Sequence, residues 1–446
     1  MYPFVLYEAD TEIFLAKRLR TKLNSSPSGS GLARLRNQHV LGAPFNDLTV
    51  RAAVELYLAD EDAAESKYGP MPGWDVSKVT DMHGMFYDCS DFNTNLAKWD
   101  VSKVTDMHDM FYGCSDFHAN LSKWDVSKVT NMHGMFDGCR EFNCDLSKWD
   151  VSNVTDMHDM FHGCSNFNCA LSKWDVFNVT NMHGMFYDCS DLDADLSKWA
   201  VGNVTDMHGM FEDCTRFNAD LSKWDVSEVT DMHGMFHDCK RFNTDLSKWD
   251  VSEVRTMNDM FTDCEAFNCD LSEWDVSNVT DMSCMFIHCS AFKADLSKWD
   301  VFGVTNMYAM FRGCKTFNAD LSEWDVSKVG EMGRMFHGCS AFNCDLSKWD
   351  VHHVIVISRY SGAKAFDGMF TGAEAFDGRL SAEMVATMRE RGDRLPGRLL
   401  WRMARRLVLP VARMRCAAWF WSELAARPGP NGQAPPGAIE AFVAEF

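Results

Sequence analysis

The stretch Trp99-Asp-Val-Ser-Lys-Val-Thr-Asp-Met-His-Asp-Met-Phe-Tyr-Gly-Cys-Ser-Asp-Phe-His-Ala-Asn-Leu-Ser-Lys123 decides the architecture, because Trp124 starts it again. Tryptophan stands at 74, 99, 124 and every 25 residues onward to 349, with no insertion or deletion. A fixed period in this range marks a solenoid, in which each unit buries its apolar face only against its neighbours. Two shorter periodicities alternate inside the unit. Val79, Met82, Met85, Phe86 and Cys89 follow the spacing of one helical face. Ser77 stands where an N-cap belongs, and Asp81 in the first turn suits the helix dipole. Around Trp99 the period becomes two, with Lys98 and Asp100 out and Trp99 and Val101 in. The expected fold is therefore an α/β repeat solenoid of about 12 rungs, each a short strand plus a short helix. The strands should stack in parallel, and the wider helices should bend the body into an arc with the strands on its concave side.

Outward from the repeat, the chain divides into four parts. Residues 1–45 read as a short helix around 8–22 and a flexible Ser/Gly/Pro linker. Residues 46–73 read as an N-terminal capping helix, with Asn46 or Asp47 as its cap and Leu48, Ala52, Val54, Leu56 and Leu58 apolar. The solenoid runs over 74–380 and turns irregular from 350. There the Met-Phe pair arrives at 369–370, 34 residues after Met335-Phe336, and Ala373 takes the cysteine slot. Residues 381–446 form an Arg-rich helical tail. Leu399, Leu400, Met403 and Leu407 share one side of it, and Arg398, Arg402, Arg405 and Arg406 the other. That makes 398–409 a candidate for contact with a membrane surface or a partner, against the plainer reading of a cap.

The formal net charge is −21, while residues 1–73 carry −1 and 381–446 carry +4, so the acidity sits in the repeat. Such a surface repels phosphate backbones and argues against a nucleic-acid partner. No uncharged run of about 18 apolar residues exists, and Met1-Tyr-Pro-Phe-Val-Leu-Tyr7 lacks the basic start of a secretory signal. Of 17 cysteines, 11 fall in one column from Cys89 to Cys339. Stacked thiols read as a buried core layer. Helical rungs about 8–10 Å apart are too distant for disulfides, and the cysteine usage fits a reducing, cytoplasmic compartment.

The signature Met-Phe-x-x-Cys-x-x-Phe-Asn-x-Asp-Leu-Ser-x-Trp-Asp-Val-Ser-x-Val-Thr-x-Met resembles the BspA-like leucine-rich-repeat surface proteins, whose repeat of about 25 residues also occurs in mycoplasma-type surface lipoproteins. The lead-in Ala52-Val-x-Leu-Tyr57, Tyr68-Gly-Pro70 and Trp74-Asp-Val-Ser77 is similar to that family's usual start. The resemblance covers roughly 46–380. It implies a leucine-rich-repeat-like solenoid with a role in surface display, adhesion or protein binding, and no catalytic residues. It also implies a cell-surface or extracellular setting, which the missing signal and the thiol column do not. The compartment stays open.

No enzyme constellation is visible: there is no phosphate loop and no nucleophile elbow, and near-identical rungs supply no unique arrangement. The expected reading is a non-enzymatic, monomeric binding or scaffold protein without a cofactor, its partner a protein. The candidate partner-binding face comprises two ladders on the strand surface: Lys98, Lys123, Lys148, Lys173, Lys223 and Lys248, and Asp100, Asp125, Asp150, Asp175, Asp225 and Asp250. The competing reading is that these charges only keep the sheet solvated and in register, which makes the molecule a spacer. A third reading is a metal-binding His/Cys ladder, since His83, His108, His133, His158, His183, His208 and His233 share one slot. A rung spacing of about 8–10 Å argues against it, because one zinc needs nitrogens at about 2.0–2.1 Å. Asn93, Asn143, Asn168 and their equivalents should satisfy backbone groups of the next rung. Asn153, Asn178, Asn203 and Asn278 complete Asn-Val-Thr acceptor patterns, yet their slot reads as a solvent-facing position of free choice, and no glycan is expected.

Overall fold

The computed structural model describes residues 42–354 and 366–390. The helix proposed around 8–22, the linker after it and the amphipathic segment 398–409 lie outside the described residues. A repeat solenoid is present, but its rungs are built differently from the expectation. Helices occur only at its ends: α1 (Asp47–Ala59), α2 (Glu61–Tyr68), a 3₁₀ turn (Met71–Gly73) and α3 (Ala382–Glu390). Between them, among the described residues, no rung contains a helix or a named strand. Each contributes one residue to a column of isolated parallel bridges running Asp81, Asp106, Asn131 and so on to Glu331.

The segment read as a helix is a train of turns that alternates its hydrogen bonds. Met82, Gly84, Phe86 and Asp88 donate their N–H groups to the carbonyls of Asp106, His108, Met110 and Tyr112 in the next rung, at 2.6–2.9 Å. Met85, Tyr87 and Cys89, lying between, donate to Met82, Gly84 and Phe86 within the rung, at 3.2–3.3 Å. The alternation requires two left-handed residues per rung, Gly84 at φ 54° and Asp88 at φ 62°. Such backbone favours Gly and, less strongly, Asp or Asn. The first column continues as Asp109, Gly134, Asp159 and Gly184, and the second as Gly113, Gly138, Gly163 and Asp188. An α-helix tolerates neither conformation.

Rungs joined by backbone hydrogen bonds sit at the strand-pairing distance of about 4.7–4.9 Å, half the helical spacing. Ring separations agree: Phe111 and Phe136 stack with centroids 5.6 Å apart, and Trp199 and Trp224 at 6.4 Å. Without helices on one side and strands on the other, the size difference that was to curve the body and give it a concave strand face is absent from the described rungs. Where the period-two segment around Trp99 was read as a strand, Trp99 closes a turn onto Leu96 (3.0 Å) and Asp100 opens another.

The core follows the repeat columns read from the sequence. The Trp, Val, Met, Phe, Cys and Leu columns are buried in one continuous cluster from Phe45 to Met388. Two polar handles inside it join successive rungs. From Trp124 onward each indole N–H reaches the leucine carbonyl of the preceding rung, as Trp124 Nε1 does Leu96 O at 3.0 Å; Trp74 and Trp99, at the N-terminal end, reach Gly69 O and Met71 O. From Cys114 onward each thiol of the main column reaches the phenylalanine carbonyl of the preceding rung, as Cys139 does Phe111 O at 3.1 Å.

At the N-terminal end, Asn46 caps α1 through a capping box with Thr49. Asp47 then accepts the N–H groups of Thr80 (2.7 Å) and Asp81 (3.2 Å) and the Thr80 hydroxyl (2.9 Å). In later rungs the threonine N–H goes to the preceding threonine carbonyl, as Thr105 to Thr80 at 2.9 Å; Asp47 replaces the rung that is missing. The buried face of α1 is Val50, Ala52, Ala53 and Val54, whereas Leu48, expected among its apolar residues, is 64 % exposed. At the other end the insertion after Val354 leaves the register intact. Phe336 donates to Met369 O at 3.0 Å, Phe370 stacks on Phe336 at 5.8 Å, and Leu346 bridges Leu380.

Candidate functional site

Stacking at this spacing turns every sequence column into a closely spaced row of like groups. All twelve residues of the candidate Lys/Asp face are exposed, but they project from turns. Asp100 Oδ1 accepts the N–H of Ser102 at 3.1 Å and its hydroxyl at 2.6 Å, an Asx turn repeated at Asp125, Asp150, Asp225 and Asp250. Those bonds hold the Asp100 carboxyl below the usual range. The Asp row is thus tied into the backbone, and the Lys row is not. Among the described residues, ion pairs in the Lys column occur only where glutamate interrupts it, Lys298 with Glu273 at 2.6 Å and Lys348 with Glu323. Lys98, Lys123, Lys148, Lys173, Lys223 and Lys248 pair with no carboxylate. At the C-terminal end of this face a shallow depression is lined by Glu323, Asp325, Ser327, Lys348 and Asp350.

The seven histidines form a stack of rings rather than isolated border residues. Consecutive centroids lie 4.8, 6.1, 3.5, 6.3, 4.3 and 4.7 Å apart from His83 to His233. The distance argument made against a shared ligand therefore fails. Even so, among the described residues no group of three or more His, Cys, Asp or Glu is assembled as a metal site. The neighbours of each ring set its proton affinity. Burial, followed by the charge of His158, pushes His133 down to about 4. His108, bonded through Nδ1 to Asp106 Oδ1 at 2.7 Å, is raised.

A second row, not singled out from the sequence, runs beside it. Asp137 pairs with His162 Nδ1 at 2.7 Å and Glu212 with His237 Nδ1 at 3.0 Å, and in the next slot Asp263 pairs with His288 Nδ1 at 2.7 Å, each across one rung step. The signal was in the sequence: these slots trade acid for imidazole 25 residues on. The asparagine column does what its position implied. Asn143 Oδ1 accepts the N–H of Asn168 and Asn218 Oδ1 that of Asn243, at 3.0 and 2.9 Å. The Asn-Val-Thr asparagines are exposed, but their amide is engaged: Asn153 Nδ2 donates to Ser127 O at 2.7 Å.

The rows also frame what the chain is similar to. The sequence family described as "Mycoplasma protein of unknown function, DUF285" matches it in four overlapping stretches, 58–174, 136–241, 214–307 and 285–391. The chain belongs to that family. The match agrees with the BspA-like resemblance of its repeat and spans the DUF285 rungs from α1 to α3. Among solved structures, a leucine-rich repeat protein from Eubacterium ventriosum is similar at 13 % identity. The similarity covers 67 % of this chain and 81 % of that one, with a TM-score of 0.28, too low for the two folds to be equated. No curated protein matches. Among the described residues of this DUF285 chain, no helix is long and apolar enough to cross a membrane.

Proposed function

We propose that this DUF285 solenoid is a non-enzymatic module that binds a protein partner through its Lys/Asp face, in the manner of a surface-display or adhesion protein. The observation that carries the reading is the unpaired lysine row. Six exposed ammonium groups, on rungs that repeat at about 4.7–4.9 Å, have no carboxylate partner among the described residues. A row that served only to hold the rungs in register would be paired, as Lys298 is with Glu273. Arrayed, uncompensated cations flanked by fixed carboxylates offer a partner both charge steering and a repeat to read.

The test is reversal of the row. A variant carrying Lys123→Glu, Lys148→Glu and Lys173→Glu should keep its circular dichroism and melting temperature, because exposed charges contribute little to stability. It should lose the proteins crosslinked to the wild type in its own cell. Unchanged recovery of the same partners would leave the spacer reading in possession.

A further inference from the structure

Phe177 and Phe302 are the exposed phenylalanines among the described residues, and they share one slot. Most other rungs put the serine of the Asx turn there. Each phenylalanine keeps the turn, donating its N–H to Oδ1 of Asp175 or Asp300 at 3.1 Å. Neither can supply the hydroxyl bond that Ser152 gives Asp150 at 2.6 Å. Asp175 therefore keeps acceptor capacity beside an exposed ring.

The two rings differ in what covers them. The Lys328 ammonium lies over the face of Phe302, 3.6 Å from its centroid. The residue in the same relation to Phe177, 26 positions on, is Asn203. Its amide is turned to the backbone, Nδ2 donating to Phe177 O at 2.7 Å. The next rung adds only Ala200 and Gly202 at this face. Gly202 is not held in left-handed backbone, so the turn does not require a glycine there. Phe177 stays 56 % exposed, with no cation against its ring among the described residues.

On this side of the Asp row the cations run out. The slot of Asn203 holds Lys103 and Lys128 in earlier rungs, but asparagine or glutamate from Asn153 to Glu253. The carboxylates of Asp150, Asp175 and Asp225 are exposed in the neighbouring rungs, on a chain of net charge −21. An aromatic face attracts a cation through its quadrupole, and carboxylates nearby draw the same charge. A guanidinium answers both, since it stacks on a ring while its edge bonds a carboxylate.

We propose that Phe177 is a docking point for an arginine side chain on a basic segment of a partner protein. The guanidinium lies over the ring as Lys328 lies over Phe302 and turns its N–H groups to Asp175. The molecule thus fills this slot from within at one rung and leaves it to a partner at another.

The experiment is fluorescence anisotropy of a fluorescein-labelled tetra-arginine peptide titrated with the full chain, beside the matched citrulline peptide, which has the shape without the charge. The arginine peptide should bind and the citrulline peptide should not. Phe177→Ser should weaken binding by about two- to fivefold, the contribution of one exposed cation–π contact. Phe302→Ser, which removes a ring already covered, should leave it unchanged. Asn203→Lys should weaken binding as Phe177→Ser does, by setting an ammonium over the ring. Asn178→Lys adds the same charge one rung earlier, where Ser152 stands in place of a ring, and should weaken it less. Lys103 and Lys128 already occupy that slot, and the circular dichroism of each variant verifies the fold. No binding, equal binding of the citrulline peptide, or binding that Phe177→Ser does not alter overturns the assignment. Lys123, Lys148 and Lys173 take no part in this contact, so either proposal can fail alone.

Discussion

The indole N–H of Trp224 donates to the carbonyl oxygen of Leu196 at 3.0 Å, and the same oxygen accepts the backbone N–H of Trp199 at 3.1 Å. One acceptor therefore closes a turn within its own rung and ties that rung to the next. Trp224→Phe keeps most of the ring and removes only the second bond, and should cost about 1 kcal/mol. Trp224→Ala should cost about 3–5 kcal/mol. Because a solenoid's cohesion is nearest-neighbour, hydrogen exchange should quicken first in the rungs beginning at Trp199 and Trp249. Protection left unchanged there in the alanine variant would contradict the coupling.

A glycine test separates a turn train from a helix. In an exposed helix interior Gly84→Ala would stabilise by about 0.5–1 kcal/mol. At φ 54° it should instead destabilise by about 1–2 kcal/mol. Gly84→Asp should cost less, since Asp109 and Asp159 hold the same conformation in their rungs. Gly134→Ala should exceed Gly84→Ala, because its Cβ meets Asp109 while nothing lies within 4 Å of the other. Chemical denaturation of the three variants decides the order.

Acid should act on the middle of the histidine stack. His208 is held down to about 4 by burial and by the neighbouring rings of His183 and His233. The unfolded chain takes up this proton near pH 6.5 and the folded chain does not. The contribution of His208 is therefore complete above pH 6.5 and is lost as pH falls towards 4. The raised histidines, among them His108, His162 and His237, act in the opposite sense: their contribution is present below pH 6.5 and fades as pH rises through their folded values. His208→Asn should flatten the acid limb of a melting-temperature profile between pH 6.5 and 4 relative to wild type. An unaltered limb would rule out the neutral, stacked ring.

The thiols of the main column should be inert in the folded protein and free once it unfolds. Burial raises the pKa of Cys139 through Cys314 well above that of an ordinary thiol, and each bonds a carbonyl. Among the described cysteines only Cys89 and Cys284 are half-buried. Maleimide labelling followed by peptide mapping should leave Cys164, Cys189, Cys214 and Cys239 unmodified under native conditions and fully modified in denaturant without reductant. Any of the four that remains blocked in denaturant would indicate a disulfide.

Much of this was legible from the period alone. The stack, its register and the core columns follow from Trp, Met, Phe, Cys and Leu recurring every 25 residues, and even the displaced Met369-Phe370 pair was recognisable. The conformation of the rung was not. Apolar residues at Met82, Met85, Phe86 and Cys89 fit one side of a helix, but successive i→i+3 turns also bring them to one side. The deciding signal was Gly or Asp at the slots of 84 and 88 through the first eight rungs, with Cys284 and His288 the first to depart. Once a helix was assumed, its spacing of about 8–10 Å was carried into the arguments about histidines and cysteines. The Lys and Asp ladders kept their exposure, but the strand that was to present them became an Asx turn, and the acid–imidazole pairs of the neighbouring row depended on rung contacts that no helical spacing permits.

The bonds joining Met82 to Asp106, Gly84 to His108 and Phe86 to Met110 all connect one rung to the next, so they lie along the body's long axis. Tension applied between the two ends of the solenoid would load them head-on and open the outermost rung before its neighbours. Each rung that yields releases 25 residues, about 80 Å of extended chain, in place of a step of about 5 Å. Stretched by a single-molecule probe, the chain should lengthen in a regular sawtooth of near-equal steps, dissipating work at each one, as a shock absorber does.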